Sequence, residues 1–179
     1  MNSVYLDWAS TSPEDPEVGA VIQKTAQEAF GNPSSPHSFG KTAYRILDES
    51  RETIASYLSC SKQNIIFTGG GSEANNIIFT SLLLKRTKGS VVISGIEHPS
   101  VYEPAMLLKK LGFEVIIVPA ERSGHVSADA IGNALRDDTI LVSVMLVNNE
   151  TGAVQPLAEI AAAVHSRAKR RPHIHTDCV

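Results

Sequence analysis

Ile65-Ile66-Phe67-Thr68-Gly69-Gly70-Gly71-Ser72-Glu73-Ala74-Asn75-Asn76 is the stretch on which the reading of the fold turns. The apolar run Asn64–Thr68 predicts a buried strand, the three glycines a tight turn, and Ser72 the cap of a helix running Ser72–Lys85. Glycines let the backbone turn sharply and approach a ligand, while the N–H groups and dipole at a helix start attract an anion. Gly71 and Ser72 are therefore candidate phosphate ligands. The simpler alternative is a plain strand-to-helix turn that needs glycine only for its dihedral angles. Gly69, Gly71 and Ala74 also satisfy the G-x-G-x-x-A spacing of dinucleotide sites. The next strand, however, ends in Ser94-Gly95-Ile96, and Glu97 comes too late to read a ribose. A Walker loop is excluded because no Gly-Lys-Ser/Thr follows the turn.

Outward from this turn, short β-branched runs alternate with longer amphipathic stretches. Strands are predicted at Ser90–Ser94, Glu114–Val118, Thr139–Val147 and from His173 to Val179, and helices at Ser100–Leu111, Ser127–Leu135 and Leu157–Arg170. Upstream, a helix from Pro16 to Phe30 ends at Gly31 as its cap glycine. The Asn/Pro/Ser-rich loop Asn32–Ser38 separates it from a second helix, Phe39–Leu58, and Val4–Leu6 reads as a short strand. This alternation implies an α/β fold, a mostly parallel sheet flanked by helices. Residues 1–15 read as an N-terminal segment and 16–179 as one domain. The run to Asp177-Cys178-Val179 lies inside a predicted strand with no closing helix or polar tail, so the domain is expected to be truncated there.

Composition narrows the class. The 179 residues are 42% hydrophobic and 20% charged, enough for a core without disulfides or metals to staple it. With 16 basic and 19 acidic residues and a net charge of -3, nothing argues for a nucleic-acid or anionic-membrane partner. No apolar run is long enough to span a bilayer, and Met1–Asp7 lacks the basic and apolar regions of a signal peptide. Cys60 and Cys178 form no disulfide framework, so a reducing cytoplasm is the expected setting.

Three further groups carry candidate chemistry. Glu97-His98-Pro99 follows a predicted strand, and loops at strand carboxyl ends line the ligand crevice of α/β sheets. There His98 could stack on an aromatic ring and move protons near neutral pH, although a loop histidine is often merely solvated. Asn148-Asn149-Glu150-Thr151-Gly152 stands at another strand end: it either hydrogen-bonds a phenolic oxygen or carboxylate, or forms an Asx turn closed by Gly152. Alternation places His173, His175 and Asp177 on one strand face. No second cluster accompanies them, so no metal is expected, and a buried Asp177 could pair instead with a cationic heterocyclic nitrogen.

Together these positions resemble the N-terminal portion of a cysteine desulfurase, a pyridoxal-phosphate enzyme of the class V aminotransferase type. The resemblance runs through Tyr5-Leu6-Asp7 with Thr11-Ser12-Pro13, Gly31-Asn32-Pro33-Ser34-Ser35 with His37, and Phe67–Glu73 with Asn76. It continues through Glu97-His98, Asp137-Asp138-Thr139, Asn148–Gly152 with Gln155-Pro156, and His175-Thr176-Asp177. It implies the large domain of an aspartate-aminotransferase-like fold. By position, Gly71 and Ser72 match the pair that holds the cofactor phosphate, and His98 the histidine that stacks on the ring and transfers protons. Asn149 matches the asparagine on the phenolic oxygen, and Asp177 the partner of the ring nitrogen. The implied reaction converts L-cysteine to L-alanine and passes sulfur through an enzyme persulfide to iron–sulfur scaffolds or other acceptors, in a homodimer.

The departures bear on activity. The resemblance places the Schiff-base lysine, the catalytic cysteine and a substrate-binding arginine beyond the Asp177 position, and none of the lysines and neither cysteine here matches them. About three extra residues lie in Ser166–Pro172, which a longer helix end would absorb. The 179 residues are thus expected to be inactive alone. A non-catalytic half-domain that binds a partner subunit, a selenocysteine lyase, or another class V enzyme remains the alternative.

Overall fold

The computed structural model describes residues 3–8, 10–84 and 88–179. They gather into two compact units, one ending at Phe67 and the other spanning Thr68–Val179. No helix among the described residues is long and apolar enough to cross a membrane.

The first unit holds two helices, α1 (Pro16–Glu28) and α2 (Ser38–Tyr57). Asp15 caps α1 by accepting the Glu17 N–H at 2.8 Å, and Pro16 stands at the first helical position, where its missing N–H costs nothing. The helix stops at Ala29, two residues before the expected glycine cap. Gly31 serves a different end, since a Cβ there would lie 2.5 Å from the Phe39 carbonyl oxygen. Val18, Val21 and Ile22, which recur at helical spacing, are exposed. Neither Val4–Leu6 nor Asn64–Thr68 is a strand: Lys62–Asn64 is a 3-10 turn, and Ile65 is extended but finds no ladder partner among the described residues. β-propensity measures fit to a pleated surface, so an apolar extended run without a neighbour stays single.

The second unit is a parallel sheet between helical layers. Its strands are β1 (Ser90–Ser94), β2 (Glu114–Val118), β3 (Thr139–Ser143) and β4 (His173–His175), in the order β2-β1-β3-β4. The first two match the expected boundaries; β3 and β4 end earlier, although backbone bonds from Val144 to His175 and from Leu146 to Asp177 continue between the two segments. The helices are α3 (Gly71–Ser81), α4 (Pro99–Lys110), α5 (Ala128–Ala134) and α6 (Leu157–Arg167). A 3-10 turn, Leu82–Leu84, extends α3, and the expected helix end at Lys85 lies outside the described residues.

Alternation along β1 divides the core. Val91 and Ile93 pack with Phe79 and Leu82, with Val101, Ala105 and Leu108 of α4, and with Leu141. Val92 faces the other way, onto Val142, Ile131 of α5, and Ile160 and Val164 of α6. Since α4 and α5 lie on opposite faces, the winding reverses between β1 and β3, and the crevice for a ligand opens at their carboxyl ends.

Candidate functional site

The loops leaving β1, β3 and β4 carry His98, Asn149 and Asp177 to this crevice. His98 is exposed and caps α4: its Nδ1 accepts the Ser100 N–H at 3.1 Å and lies 2.7 Å from Ser100 Oγ. The following Pro99 suits the first helical position.

Asp177 is 8% exposed. Asn75 Nδ2, from α3, donates to its Oδ2 at 2.9 Å, and the Val179 N–H donates to its Oδ1 at 3.0 Å. The backbone is held as well, because the Leu146 N–H donates to the Asp177 carbonyl at 2.8 Å.

Of the two duties foreseen for the adjacent asparagines, the turn is seen, and Asn148 forms it. Asn148 is buried: its Oδ1 accepts the N–H groups of Glu150 (3.2 Å) and Thr151 (2.9 Å), and its Nδ2 donates to the Ile96 carbonyl at 3.0 Å. This is the Asx turn, closed by the Gly152 N–H on the Asn148 carbonyl at 2.8 Å. Asn149 is exposed beside it, its amide outside every hydrogen bond among the described residues.

At the start of α3 the cap is Gly70, not Ser72, and no side chain caps the helix. Ala74 is the first residue to bond back, its N–H donating to the Gly70 carbonyl at 3.1 Å. The N–H groups of Gly71, Ser72 and Glu73 thus have no backbone acceptor among the described residues, and the Ser72 hydroxyl is exposed. That is the donor set of an anion site. A Cβ at Gly71 would come 2.7 Å from Val179 Cγ2, so a larger residue there would push the exposed Val179 side chain aside. Glu73 Oε2 accepts the Gly69 N–H at 2.5 Å and holds the turn together.

Sequence reasoning gave no role to Asn75 and Ser100, and named Glu97 and His175 without their partners. Asn75 and Ser100 lie beneath Asp177 and His98, with Asn75 Nδ2 also donating to Ser100 Oγ at 2.9 Å. Glu97 is not a ribose ligand but is folded inward, bonded to Ser94 Oγ and the Met145 N–H. His175 Nδ1 lies 2.9 Å from Ser143 Oγ, and its ring meets Phe79 edge-on at 6.0 Å between centroids. Period-2 alternation had already put His175 and Asp177 on one face; their partners come from distant elements. Among the described residues no group of three or more His, Cys, Asp or Glu side chains is placed to hold a metal.

Comparison with known proteins agrees with this architecture. A model of the family described as Aminotransferase class-V matches residues 4–177. Cysteine desulfurase IscS of Dictyoglomus turgidum is 41% identical over 179 residues, covering 98% of this chain and 44% of that protein. Cysteine desulfurase IscS 1 of Archaeoglobus fulgidus is 41% identical over 166 residues, covering 92% of this chain and 44% of that protein. A solved NifS-like protein superimposes with a TM-score of 0.92 at 30% identity, covering 98% of this chain and 48% of that one. SspA in complex with cysteine does so with 0.91 at 31% identity, covering 98% and 50%. The chain spans about half the length of the curated relatives it matches.

Proposed function

The chain belongs to the class-V aminotransferase family, and from that premise we propose that it forms the cofactor cradle of a pyridoxal 5'-phosphate-dependent cysteine desulfurase. The supporting observation is the grouping, at the carboxyl ends of β1, β3 and β4, of an exposed imidazole, an exposed carboxamide and a buried carboxylate. The names of the relatives and the cysteine complex of SspA support the same reading. The parent reaction would convert L-cysteine to L-alanine and hand the sulfur, as an enzyme persulfide, to an iron–sulfur scaffold or another acceptor protein. We assign residues 16–179 to the large domain of a full-length homodimer, with 1–15 as an N-terminal segment. The exposed thiols of Cys60 and Cys178 suit a reducing compartment, and the cytoplasm is the setting we propose.

The donor set fits the cofactor. Gly71 and Ser72 would hold its phosphate with the open N–H groups at the start of α3 and the Ser72 hydroxyl. Asp177 would accept from a protonated ring nitrogen, Asn149 would donate to the phenolic oxygen, and His98 would cover the ring and exchange protons with the bound substrate. When bound, pyridoxal phosphate supplies an electron sink for bond rearrangement in the amino-acid substrate. The contribution of these residues is orientation and charge: Asp177 is fixed by two N–H donors, so it need not reorganise as the ligand arrives.

The test uses the natural full-length polypeptide. Titration with pyridoxal phosphate should produce a saturable absorption change, and adding L-cysteine with a thiol reductant should release alanine and sulfide in equal amounts. Absence of cofactor binding, or binding without release of alanine, would overturn the proposal.

A further inference from the structure

The packing of α3 on α4 sets Asn75, 3% exposed, beside Ser100. Its Nδ2 carries two hydrogens, and both have acceptors: Asp177 Oδ2 and Ser100 Oγ, each at 2.9 Å. The next link, 2.7 Å from Ser100 Oγ to His98 Nδ1, has a direction that the backbone decides. The Ser100 N–H points to the same Nδ1 at 3.1 Å, and a backbone N–H can only donate. Nδ1 is therefore an acceptor, the Ser100 hydroxyl is a second donor to it, and Oγ receives the amide hydrogen of Asn75. Every hydrogen in the chain from Asp177 to His98 is thereby placed.

We propose that Asn75 and Ser100 are positioning residues that hold His98 in the tautomer protonated at Nε2 and tie its orientation to that of Asp177. Nε2 has no partner among the described residues, so a neutral His98 offers a hydrogen-bond donor to a ligand in the crevice. The ligand group received there is an acceptor, such as a carboxylate, a phenolate or a thiolate. The inference rests on the proposed function only for what His98 does next; the tautomer belongs to the protein itself.

Long-range proton–nitrogen correlation spectra of the full-length polypeptide, labelled with nitrogen-15 in histidine, read the tautomer without cofactor. His98 should show a protonated Nε2 and a bare Nδ1; a protonated Nδ1 in the neutral ring would overturn the inference with no variant needed. Ser100→Ala should raise the share of the other tautomer about fivefold, the worth of one net hydrogen bond, and Ser100→Thr should restore it. Val101→Ala, one residue on in the same turn and fully buried, should lower the unfolding midpoint without moving that ratio. An unmoved ratio in Ser100→Ala, or an equal shift in Val101→Ala, would show that the contact only packs the helix start. Adding pyridoxal phosphate afterwards separates the two questions: a correct tautomer in a chain that binds no cofactor defeats the function and leaves the tautomer standing.

Discussion

Glu97 Oε1 accepts the backbone N–H of Met145 at 2.8 Å, so a carboxyl group from the loop after β1 holds the chain as it leaves β3. Ser94 Oγ donates to the same oxygen, and Ser143 Oγ reaches Oε2 at 3.5 Å. Burial pushes this carboxyl up from its ordinary 4.5, and the charge of Asp177 adds to the rise, against the hydrogen bonds from Ser94, Met145 and Ser143. Across the strand pair, burial pulls His175 down from 6.5 while Asp177 opposes it. A half-buried acid and a half-buried base thus share one small polar cluster.

Their pH dependences run in opposite directions. The folded chain keeps the Glu97 proton after the unfolded chain has lost it, so this contribution is fully present below pH 4.5 and disappears as pH rises through the raised value. For His175 the unfolded chain takes up a proton first, so stability declines as pH falls below 6.5 toward the lowered value. Unfolding midpoints across a buffer series should show Glu97→Gln losing less than the parent as pH rises from 4.5. In the same series His175→Gln should lose less than the parent below 6.5. Profiles parallel to the parent in these windows would contradict the assignment.

Asn148 and Asn149 should separate cleanly. Asn148→Ala strands the Glu150 and Thr151 N–H groups and should cost about 2 kcal/mol in denaturant unfolding. Asn149→Ala touches an exposed amide and should change stability by less than about 0.5 kcal/mol. Its effect should appear in the affinity of the full-length polypeptide for pyridoxal phosphate.

Gln155, 3% exposed, clamps the turn before α5: its Oε1 accepts the Val126 N–H at 2.8 Å, and its Nε2 donates to the Gly124 carbonyl at 2.9 Å. Gln155→Ala leaves these groups without partners and should cost about 2–3 kcal/mol. Gln155→Glu keeps the acceptor but loses the donor, and its cost in the same unfolding assay should rise with pH as the buried carboxyl ionises.

At the start of α3, Ser72→Ala should weaken pyridoxal phosphate binding about tenfold, the loss of one hydrogen bond to a charged group. Gly71→Val should weaken that binding more than Ser72→Ala, because its side chain would crowd Val179 Cγ2, 2.7 Å from the new Cβ, and the open N–H groups beside it. Equilibrium titration followed by absorbance checks both.

Much of the second unit was legible because its signals are local. Ser90–Ser94 and Glu114–Val118 are β-branched runs between breakers, and both became paired strands with the expected ends. His98 and Asn149 could be picked out because loops at strand ends in a parallel sheet face one crevice. Asn75 carries no such mark: a helix-interior asparagine acquires its meaning from Asp177, 102 residues away. Ser72 failed as a cap for a near-neighbour reason, since the helix begins one residue earlier on a glycine that can adopt the entry geometry. Glu97 was judged by its spacing from the glycine turn, whereas its burial depends on Ser143 and Met145, which reach it only once β1 and β3 pair.

The three residue pairs between β3 and β4, from Leu141–His173 to Ser143–His175, have a practical corollary for engineering. They locate Asp177 from the β3 side, and the Leu146–Asp177 backbone bond prolongs that hold. At the other end, Arg167 is anchored to Asp129 and Asn133. The stretch 168–172 between the two anchors, whose first three residues were expected to continue α6, is a non-helical connection tied down by the Lys169–Asp137 ion pair and the buried Pro172. Its two exposed arginines, Arg170 and Arg171, are the point at which a reporter peptide or a spectroscopic label should be accepted with least effect on the crevice.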